Sequence, residues 1–433
     1  MREASGVVAP GKGKDAAGRA RGVACKIPVA CVRLLRFNAS PDMTAKFLHT
    51  ADWHLGKPFG GIADPDKQAQ VRKERVDVLD RLGRLARERG AEFVLVAGDL
   101  FDSNHPLDAT VAPALEAIGR MEVPVLAVPG NHDHGGPGGP WEQEFVQRQM
   151  KELAPNFKIL LETEPVELDT AVILPCPLLA QHMATDPTEW LRDGKAVWEG
   201  LCDKPRVALA HGSVHGFAGE DPDEESVEHR PPNMIDLDRL PKEELDYIAL
   251  GDWHGMKQVG GKAWYSGTPE PDRFPKGEDY LAGQALVVKA SRGDEPEVEP
   301  VPVGGLNWID EAFVFSEDNG PGQLNEQIDK RLRSQGASCL LRLRLEGPLN
   351  LAARAKLDDL LNAREALLLR LKLDDATLTA PDVAEMAALT KRAEDPLISL
   401  VAGRLAEQMN AGGEAGDIAR AALIQLHAAC AED

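Results

Sequence analysis

Five short apolar runs along the chain are each followed at once by residues that can bind a metal ion. The runs are residues 47–49, 93–97, 125–128, 207–210 and 247–250, and helical patterns lie between several of them. Short continuous apolar runs are typical of buried parallel strands, because both faces of such a strand are covered. Strands that alternate with helices predict an α/β layered domain.

The residues that follow these runs are carboxylates, an asparagine and histidines. In chain order they are Asp52, His54, Asp99, Asn131, His132, His211, Asp252 and His254. Ligands of α/β sheets gather beyond the carboxyl ends of the strands, so we expect these side chains to face one pocket. Mixed oxygen and nitrogen ligands without a thiolate favour Mn²⁺, Fe²⁺ or Zn²⁺ in a catalytic site over a closed structural site.

Each of these residues is weak evidence by itself. A Gly-Asp pair after a strand is usually a turn, and a single histidine is usually structural or solvated. The prediction therefore depends on the ordered set of five strand ends. The alternative is a fold that has kept these residues and lost its activity.

Charge and cysteine content bound the classes of function. The chain has a formal net charge of −21, yet residues 1–46 hold nine Lys or Arg and three Asp or Glu. An acidic body weighs against non-specific nucleic-acid binding, because phosphate affinity comes largely from Lys and Arg. The six cysteines are scattered and form no CxxC pair, which favours a reducing, cytoplasmic setting. No apolar run of about 18 residues predicts a membrane span.

Five motifs together resemble the calcineurin-like metallophosphoesterases. They are "DWHLG", "VAGDLFD", "PGNHD", "AHGS" and "LGDWHG". Within that superfamily, "LHTADWHLGK" and "VLVAGDLFDSNHP" look most like the SbcD-type DNA repair nucleases. The resemblance covers roughly residues 46–275.

The resemblance implies a site with two metal ions and seven ligands. Asp52, His54 and His254 are expected to hold the first metal, Asn131 and His211 the second, and Asp99 to bridge both. The family usually has a histidine where this chain has Asp252, so a carboxylate is expected to ligate the second metal directly or through water. A carboxylate there favours Mn²⁺ or Mg²⁺ over Zn²⁺. We therefore expect two divalent ions, with Mn²⁺ as the leading candidate and Mg²⁺, Fe²⁺ or Zn²⁺ as alternatives.

Three further residues are candidates for work on the substrate. His132 is expected to act on the leaving oxygen or to stabilise developing charge, and hydrogen bonding behind the ligands is its alternative role. His105 is a candidate for positioning the phosphate in place of the histidine that some relatives carry at Asp102; a plain loop residue is the alternative. Arg273 is a candidate phosphate contact, against a surface salt bridge.

The second half of the chain changes in pattern. Residues 219–246 predict a solvated acidic loop with a short helix. Residues 306–375 predict a small α+β unit, which in the nuclease family is a capping domain. Its basic residues are Arg342, Arg344, Arg370 and Lys372, and they predict either a DNA-facing stripe or the wet face of an amphipathic sheet. Residues 376–433 predict helices. The resemblance implies that they dock on an SMC-like coiled-coil ATPase, and formation of a homodimer is the alternative.

The expected fold is thus an α/β, layered α-β-β-α metallophosphoesterase sandwich, followed by the α+β capping domain and the C-terminal helices. The predicted boundaries are 1–45 for a disordered or mis-started extension, then 46–305, 306–375 and 376–433. We expect a metal-dependent phosphodiester hydrolase acting on DNA ends in repair, through a water activated between the two metals. The alternatives are a phosphodiesterase or phosphatase on a small molecule or phosphoprotein, and a weakly active structural subunit of an ATPase complex. The sequence leaves open the cleavage polarity, the physiological metal, the partner and the oligomeric state.

Overall fold

The structure is a computed structural model that describes residues 43–193, 195–214, 232–275, 277, 280–316, 319–332 and 336–431. The predicted extension lies outside the described residues up to residue 42, and so does the predicted acidic loop from residue 219 to 231. The described remainder of that loop contains a two-residue strand and a 3-10 helix, Leu237–Arg239.

The described residues form seventeen strands and nine α-helices. The strands, β1 to β17 in chain order, are Thr44–Thr50, Phe93–Ala97, Val125–Val128, Phe157–Ile159, Val166–Glu167, Val172–Cys176, Arg206–His211, Ser213–Val214, Met234–Ile235, Tyr247–Gly251, Lys257–Gly260, Ala263–Tyr265, Gln284–Ser291, Glu297–Pro302, Asn307–Val314, Cys339–Leu349 and Arg370–Thr379. The α-helices, α1 to α9, are Pro65–Arg89, Asp108–Gly119, Glu144–Leu153, Lys195–Trp198, Pro321–Leu332, Leu351–Leu367, Val383–Thr390, Pro396–Ala411 and Gly413–Ala431.

Two six-stranded sheets face each other and form the centre of the first domain. Their strand orders are β14-β13-β1-β2-β3-β4 and β11-β12-β10-β7-β6-β5. The neighbours β1-β2-β3-β4 and β12-β10-β7-β6 are parallel, so the ends of β1, β2, β3, β7 and β10 point the same way within each sheet. Apolar side chains from both sheets, among them Phe47, Leu95, Leu209 and Tyr247, pack into one shared core.

Helices cover the outer face of the first sheet. The Asp64 side chain caps α1 by accepting from the amides of Asp66 and Lys67, and the helix ends at Gly90, which has a left-handed φ of 62°. Residues of α1, α2 and α3 form an apolar core against this sheet. Shorter helical segments, including the 3-10 helix Glu189–Arg192, cover the second sheet. The predicted layered α-β-β-α sandwich is confirmed.

A small second unit follows β14. Its strands β15, β16 and β17 form a three-stranded sheet in which both pairs are parallel. Helices α5 and α6 cross from one strand to the next, as parallel pairing requires, and pack on one face through Leu324, Ile328 and Leu357. The prediction of an α+β unit was wrong in this respect, because the connectivity is β-α-β-α-β.

Helices α7, α8 and α9 complete the chain. They pack through Leu389, Ala402 and Leu423 against Leu351 of α6. Val383 and Leu397 remain 89% and 69% exposed. Among the described residues, no helix is long and apolar enough to span a bilayer. The domain boundaries given above stay a prediction.

Candidate metal centre

The candidate ligands meet where the two sheets place the ends of their strands. His54 Nε2 and His254 Nε2 are 3.1 Å apart, and His211 Nε2 is 2.9 Å from Asn131 Oδ1. Asp99 Oδ2 lies 3.6 Å from both His54 Nε2 and His211 Nε2. The structure thus brings side chains from β1, β2, β3, β7 and β10 into one cluster, with Asp99 between its two halves.

Among the described residues, three overlapping sets offer ligand atoms within 4.8 Å of one another. They are Asp52 with His54 and His254, Asp52 with Asp99 and His211, and His54 with Asp99 and His132. We call Asp52, His54 and His254 the first metal position, and Asn131, His211 and Asp252 the second metal position. Asp99 lies between the two.

Four acidic or histidine residues of the cluster hold unusual backbone conformations. The φ angles of Asp52, His54, Asp99 and Asp252 are 54°, 43°, 53° and 110°. Positive φ in a non-glycine residue costs of order 1 kcal/mol or more and is common at functional sites. The strand ends are therefore bent so that each side chain turns back toward the pocket.

Close packing explains two of the glycines beside the ligands. A Cβ at Gly98 would lie 2.3 Å from His211 Nδ1, and one at Gly130 would lie 2.1 Å from Asp99 Oδ1. No real side chain tolerates such contacts. Both glycines are required for the ligand strands to approach one another.

The protonation states of the cluster fit a divalent cation. Burial lowers the pKa of His54 to about 3, so its imidazole is neutral at pH 7 and free to ligate. Burial raises the pKa of Asp52 to about 6, and its Oδ2 is buried without a hydrogen-bond partner among the described residues. Burial opposes a charge on His211, but Asp99, Asp52 and Asp252 outweigh it and raise the pKa to about 9. A cation bound among these groups replaces that proton.

Each ligand histidine has an oxygen atom close to its Nδ1 atom. His211 Nδ1 donates to the Ala97 carbonyl at 2.8 Å. His254 Nδ1 is 3.1 Å from Asp272 Oδ1, and His54 Nδ1 is 3.2 Å from Asp102 Oδ1. An acceptor on Nδ1 fixes the tautomer that presents Nε2 to a metal. His211 and His254 are therefore oriented for ligation through Nε2, whereas His54 Nδ1 faces the Asp102 carboxylate without a hydrogen bond among the described residues.

Asp252 lies at the edge of the second metal position. Its Oδ1 is 3.9 Å from His211 Nε2, while its Oδ2 accepts a hydrogen bond from Ser213 Oγ at 2.6 Å. Its side chain is 30% exposed, whereas that of His211 is fully buried. The carboxylate is close enough to face the same cation as His211, but it is held less firmly than the other acids.

The three candidate substrate residues lie in different surroundings. His132 is half-buried, its ring centre is 4.7 Å from that of His54, and its backbone amide donates to Asp99 Oδ1. Arg273 lies beside Asp272 and His254. His105 is exposed, and its amide donates to Ser103 Oγ. His132 and Arg273 line the cleft next to the cluster, whereas His105 does not.

Three buried residues that support the site were missed by the sequence analysis. Asp133 accepts from the amides of Gly130, Leu100 and Phe101, which links two ligand loops, and burial raises its pKa to about 7. Arg75 of α1 donates to the carbonyls of Trp53 and Glu270, and so links the first ligand loop to the segment after β12. Asp272 accepts a hydrogen bond from Lys57 and faces His254 Nδ1. The adjacency of Asp133 to "GNH" was the one available signal.

A cleft of about 620 Å³ opens beside the metal cluster. Asp102, His132 and Asp272 line its inner end. Its cationic residues, which define the basic cleft, are Lys57, Arg273, Arg342, Arg370 and Lys372. Three of the four residues of the predicted basic stripe therefore line it. The fourth, Arg344, pairs with Asp310 and lines a neighbouring cavity of about 840 Å³.

Comparisons with known proteins agree with this geometry. Residues 45–256 match the family model described as calcineurin-like phosphoesterase. A protein of Bacillus subtilis (strain 168), named as a component of the nuclease SbcCD, is 25% identical over 337 residues, which cover 66% of this chain and 82% of that protein. A crystal structure of a dimetal phosphatase from Danio rerio is 13% identical, with a match that covers 60% of this chain and 99% of that chain and a TM-score of 0.34. The likeness predicted from the motifs is confirmed.

Proposed function

Residues 45–256 of this chain are a calcineurin-like phosphoesterase domain, and on that premise we propose that the protein is a two-metal phosphodiesterase that cuts DNA at its ends. The observation that carries the proposal is the position of Asp99, whose Oδ2 is 3.6 Å from a histidine of each metal position. A shared carboxylate of this kind is what a pair of adjacent cations needs. The similarity to a component of the nuclease SbcCD supports DNA as the substrate.

We assign the ligands by their place in the cluster. Asp52, His54 and His254 would hold one cation, Asn131 and His211 would hold the other together with Asp252, and Asp99 would serve both. Two divalent ions, with Mn²⁺ as the leading candidate, supply an activated water and neutralise charge on the phosphoryl oxygens. The mixture of carboxylate, amide and imidazole ligands suits this metal.

The chain's own residues provide the remaining functions. His132 lies at the inner end of the cleft, where an imidazole can give a proton to the departing oxygen. Its Nδ1 is 3.1 Å from the Asp102 carbonyl, which holds the ring in place. Asp272 is hydrogen-bonded to His254, and the Asp102 carboxylate faces His54.

The basic cleft is the part of the surface that fits a DNA strand. Five cations are gathered in it on a chain whose net charge is −21. Phosphate contacts by Lys and Arg supply most of the affinity for DNA. We therefore propose that DNA approaches through this cleft, and that Arg273 contacts a phosphate there.

We further propose that helices α7 to α9 bind a partner. The related protein is part of a complex by name. Val383, Leu397 and Ile418 leave apolar surface exposed on these helices. An SMC-like coiled-coil ATPase is the proposed occupant, and a second copy of this chain is the competing one. The molecular mass of the purified chain in solution, measured with and without such an ATPase, distinguishes a complex with the ATPase from a homodimer.

A nuclease assay tests the proposed function. The full chain is incubated with blunt duplex, recessed duplex, single strands and a small chromogenic phosphodiester, each with Mn²⁺, Mg²⁺, Fe²⁺ or Zn²⁺. We expect shortening of duplex ends with Mn²⁺. The Asp99→Asn variant serves as the inactive control, and His182→Ala, an exposed histidine, as the matched active control. Turnover of the small phosphodiester alone assigns the site to small-molecule chemistry and contradicts the DNA proposal.

A further inference from the structure

Lys57 lies between the two carboxylates that face the histidines of the first metal position. Its Nζ donates to Asp272 Oδ2 at 2.7 Å and lies 4.0 Å from Asp102 Oδ1. Asp272 in turn faces His254 Nδ1, and Asp102 faces His54 Nδ1. Hydrogen bonds therefore connect the ammonium group to His254 through Asp272, and the Asp102 carboxylate lies between the ammonium group and His54 without hydrogen-bonding to either.

The same ammonium group is accessible from the basic cleft. The side chain of Lys57 is 25% exposed, whereas that of Asp272 is fully buried. Lys57 lines the cleft together with Arg273 and Arg370. A phosphate in the cleft and the two carboxylates are therefore alternative partners for one ammonium group.

The second metal position is built differently. The Nδ1 atom of His211 donates to a neutral backbone carbonyl, that of Ala97. A carboxylate behind a ligating histidine raises the basicity of that ligand, whereas a carbonyl does so less. A cation that neutralises the carboxylate weakens this effect. A change in charge at Lys57 is thus expected to alter the basicity of the histidines at the first metal position and not that of His211 at the second.

We propose that Lys57 is a positioning residue that adjusts the first metal position to the presence of a phosphate in the basic cleft. This inference rests on the proposed function of the same site. While the ammonium group pairs with Asp272 and Asp102, it offsets their charge and the histidines bind a cation less tightly. When a phosphate binds the ammonium group instead, the charge of the two carboxylates is no longer offset, and the histidines bind the cation more tightly. Phosphate binding and cation binding then favour each other, in both directions.

Manganese titration of the full chain without DNA is the first test. Lys57→Gln removes the charge, while Asp272 keeps its contacts with His254 and Arg273. We expect the first Mn²⁺ to bind about tenfold more tightly, at the low end of the range for changes behind metal ligands. Lys57→Arg retains the charge and is expected to bind Mn²⁺ like the unchanged protein. Unchanged or weaker Mn²⁺ binding in Lys57→Gln, which a merely structural role predicts, overturns the inference.

The second test adds a short duplex with hydrolysis-resistant phosphorothioate linkages to the same titration. We expect this DNA to tighten Mn²⁺ binding more in the unchanged protein than in Lys57→Gln. Lys330→Gln is the matched control, because Lys330 is exposed on α5 and does not line the cleft. It is expected to keep the full gain. An equal gain in Lys57→Gln contradicts the inference. If the unchanged protein fails to cut DNA, the proposed function fails, while the DNA-free titration still decides the role of Lys57.

Discussion

The metal centre and the sheet of β15, β16 and β17 use charge in opposite ways. In the metal centre, acids and histidines are buried, and burial raises the pKa of Asp52. In the sheet, charged residues are partly exposed and paired, and the hydrogen bond from Arg342 lowers the pKa of Asp310. Among the described residues, the centre offers unpaired ligand atoms to cations, whereas the sheet presents Arg342, Arg370 and Lys372 to the basic cleft, with Arg342 paired to Asp310. The comparison separates the residues proposed to bind metal from the residues proposed to contact DNA.

Asp99→Asn is the substitution with the largest expected effect, because it removes the carboxylate shared by the two metal positions. We expect activity on any phosphodiester to fall by about 10³-fold or more, since two-metal charge stabilisation is worth several kcal/mol. Initial rates at saturating Mn²⁺ measure the effect. Asp80→Asn, a partly exposed acid of α1 paired with Arg120, is the control. Activity within about tenfold of the unchanged protein would mean that Asp99 does not serve both cations.

His132→Ala has the next largest expected effect, and it tests whether His132 at the inner end of the cleft gives a proton to the departing oxygen. We expect kcat to fall by about 10²–10⁴-fold, the usual contribution of a general acid. Mn²⁺ stoichiometry is expected to remain unchanged, because His132 is assigned to the substrate and not to a cation. His182→Ala is the matched control. Loss of a bound Mn²⁺ would identify His132 as a ligand instead.

The opposite pKa directions predict opposite pH dependences of stability. In protein treated with a chelator, the raised pKa of Asp52 stabilises the folded state. This stabilisation is complete below the unfolded pKa of about 4 and is lost as the pH rises through about 6. Asp52→Asn is expected to remove about 2–3 kcal/mol of this pH dependence. The lowered pKa of Asp310 contributes stability above the unfolded pKa that is lost as pH falls. Denaturant unfolding from pH 4 to 8 measures both. The same sign in the two regions would contradict the comparison.

A smaller effect is expected for charges at the outer end of the basic cleft. The double change Arg370→Gln and Lys372→Gln removes two cations of the cleft. If both contact phosphates, the slope of log affinity against log salt falls by about 0.9 for each, so by roughly 1.8 together. DNA binding at several salt concentrations measures the slope. Lys330→Gln, an exposed lysine on α5, is the control. An unchanged slope would place the DNA elsewhere.

The strand ends of the metal centre were predictable because their signals are local. A buried strand needs a continuous apolar run, and a ligand at its end needs only the next few residues, as in Val125–Val128 followed by Asn131. Parallel order within the sheets then places those ends at one edge. The small parallel sheet carried a signal as well, because strands alternate with helices α5 and α6, but that signal was interpreted as an α+β unit.

The residues behind the ligands were not predictable in the same way. Lys57 and Asp272 are separated by 215 positions, and only the packing of the segment after β12 against the first ligand loop brings them together. Nothing in "PEPDRF" distinguishes Asp272 from a turn residue. Similarly, Arg75 can link the two loops only because one face of α1 is buried beside both of them. Such contacts depend on tertiary structure and on no local pattern.

The location of bound manganese tests the central claim most directly. A crystal of the full chain grown with Mn²⁺ is measured at the manganese absorption edge, together with a crystal of Asp99→Asn. The account predicts two anomalous peaks in the unchanged protein, one beside His54 and His254 and one beside Asn131 and His211, with Asp99 touching both. It also predicts the loss of at least one peak in the variant. A single peak, or two peaks that do not share Asp99, would contradict the account.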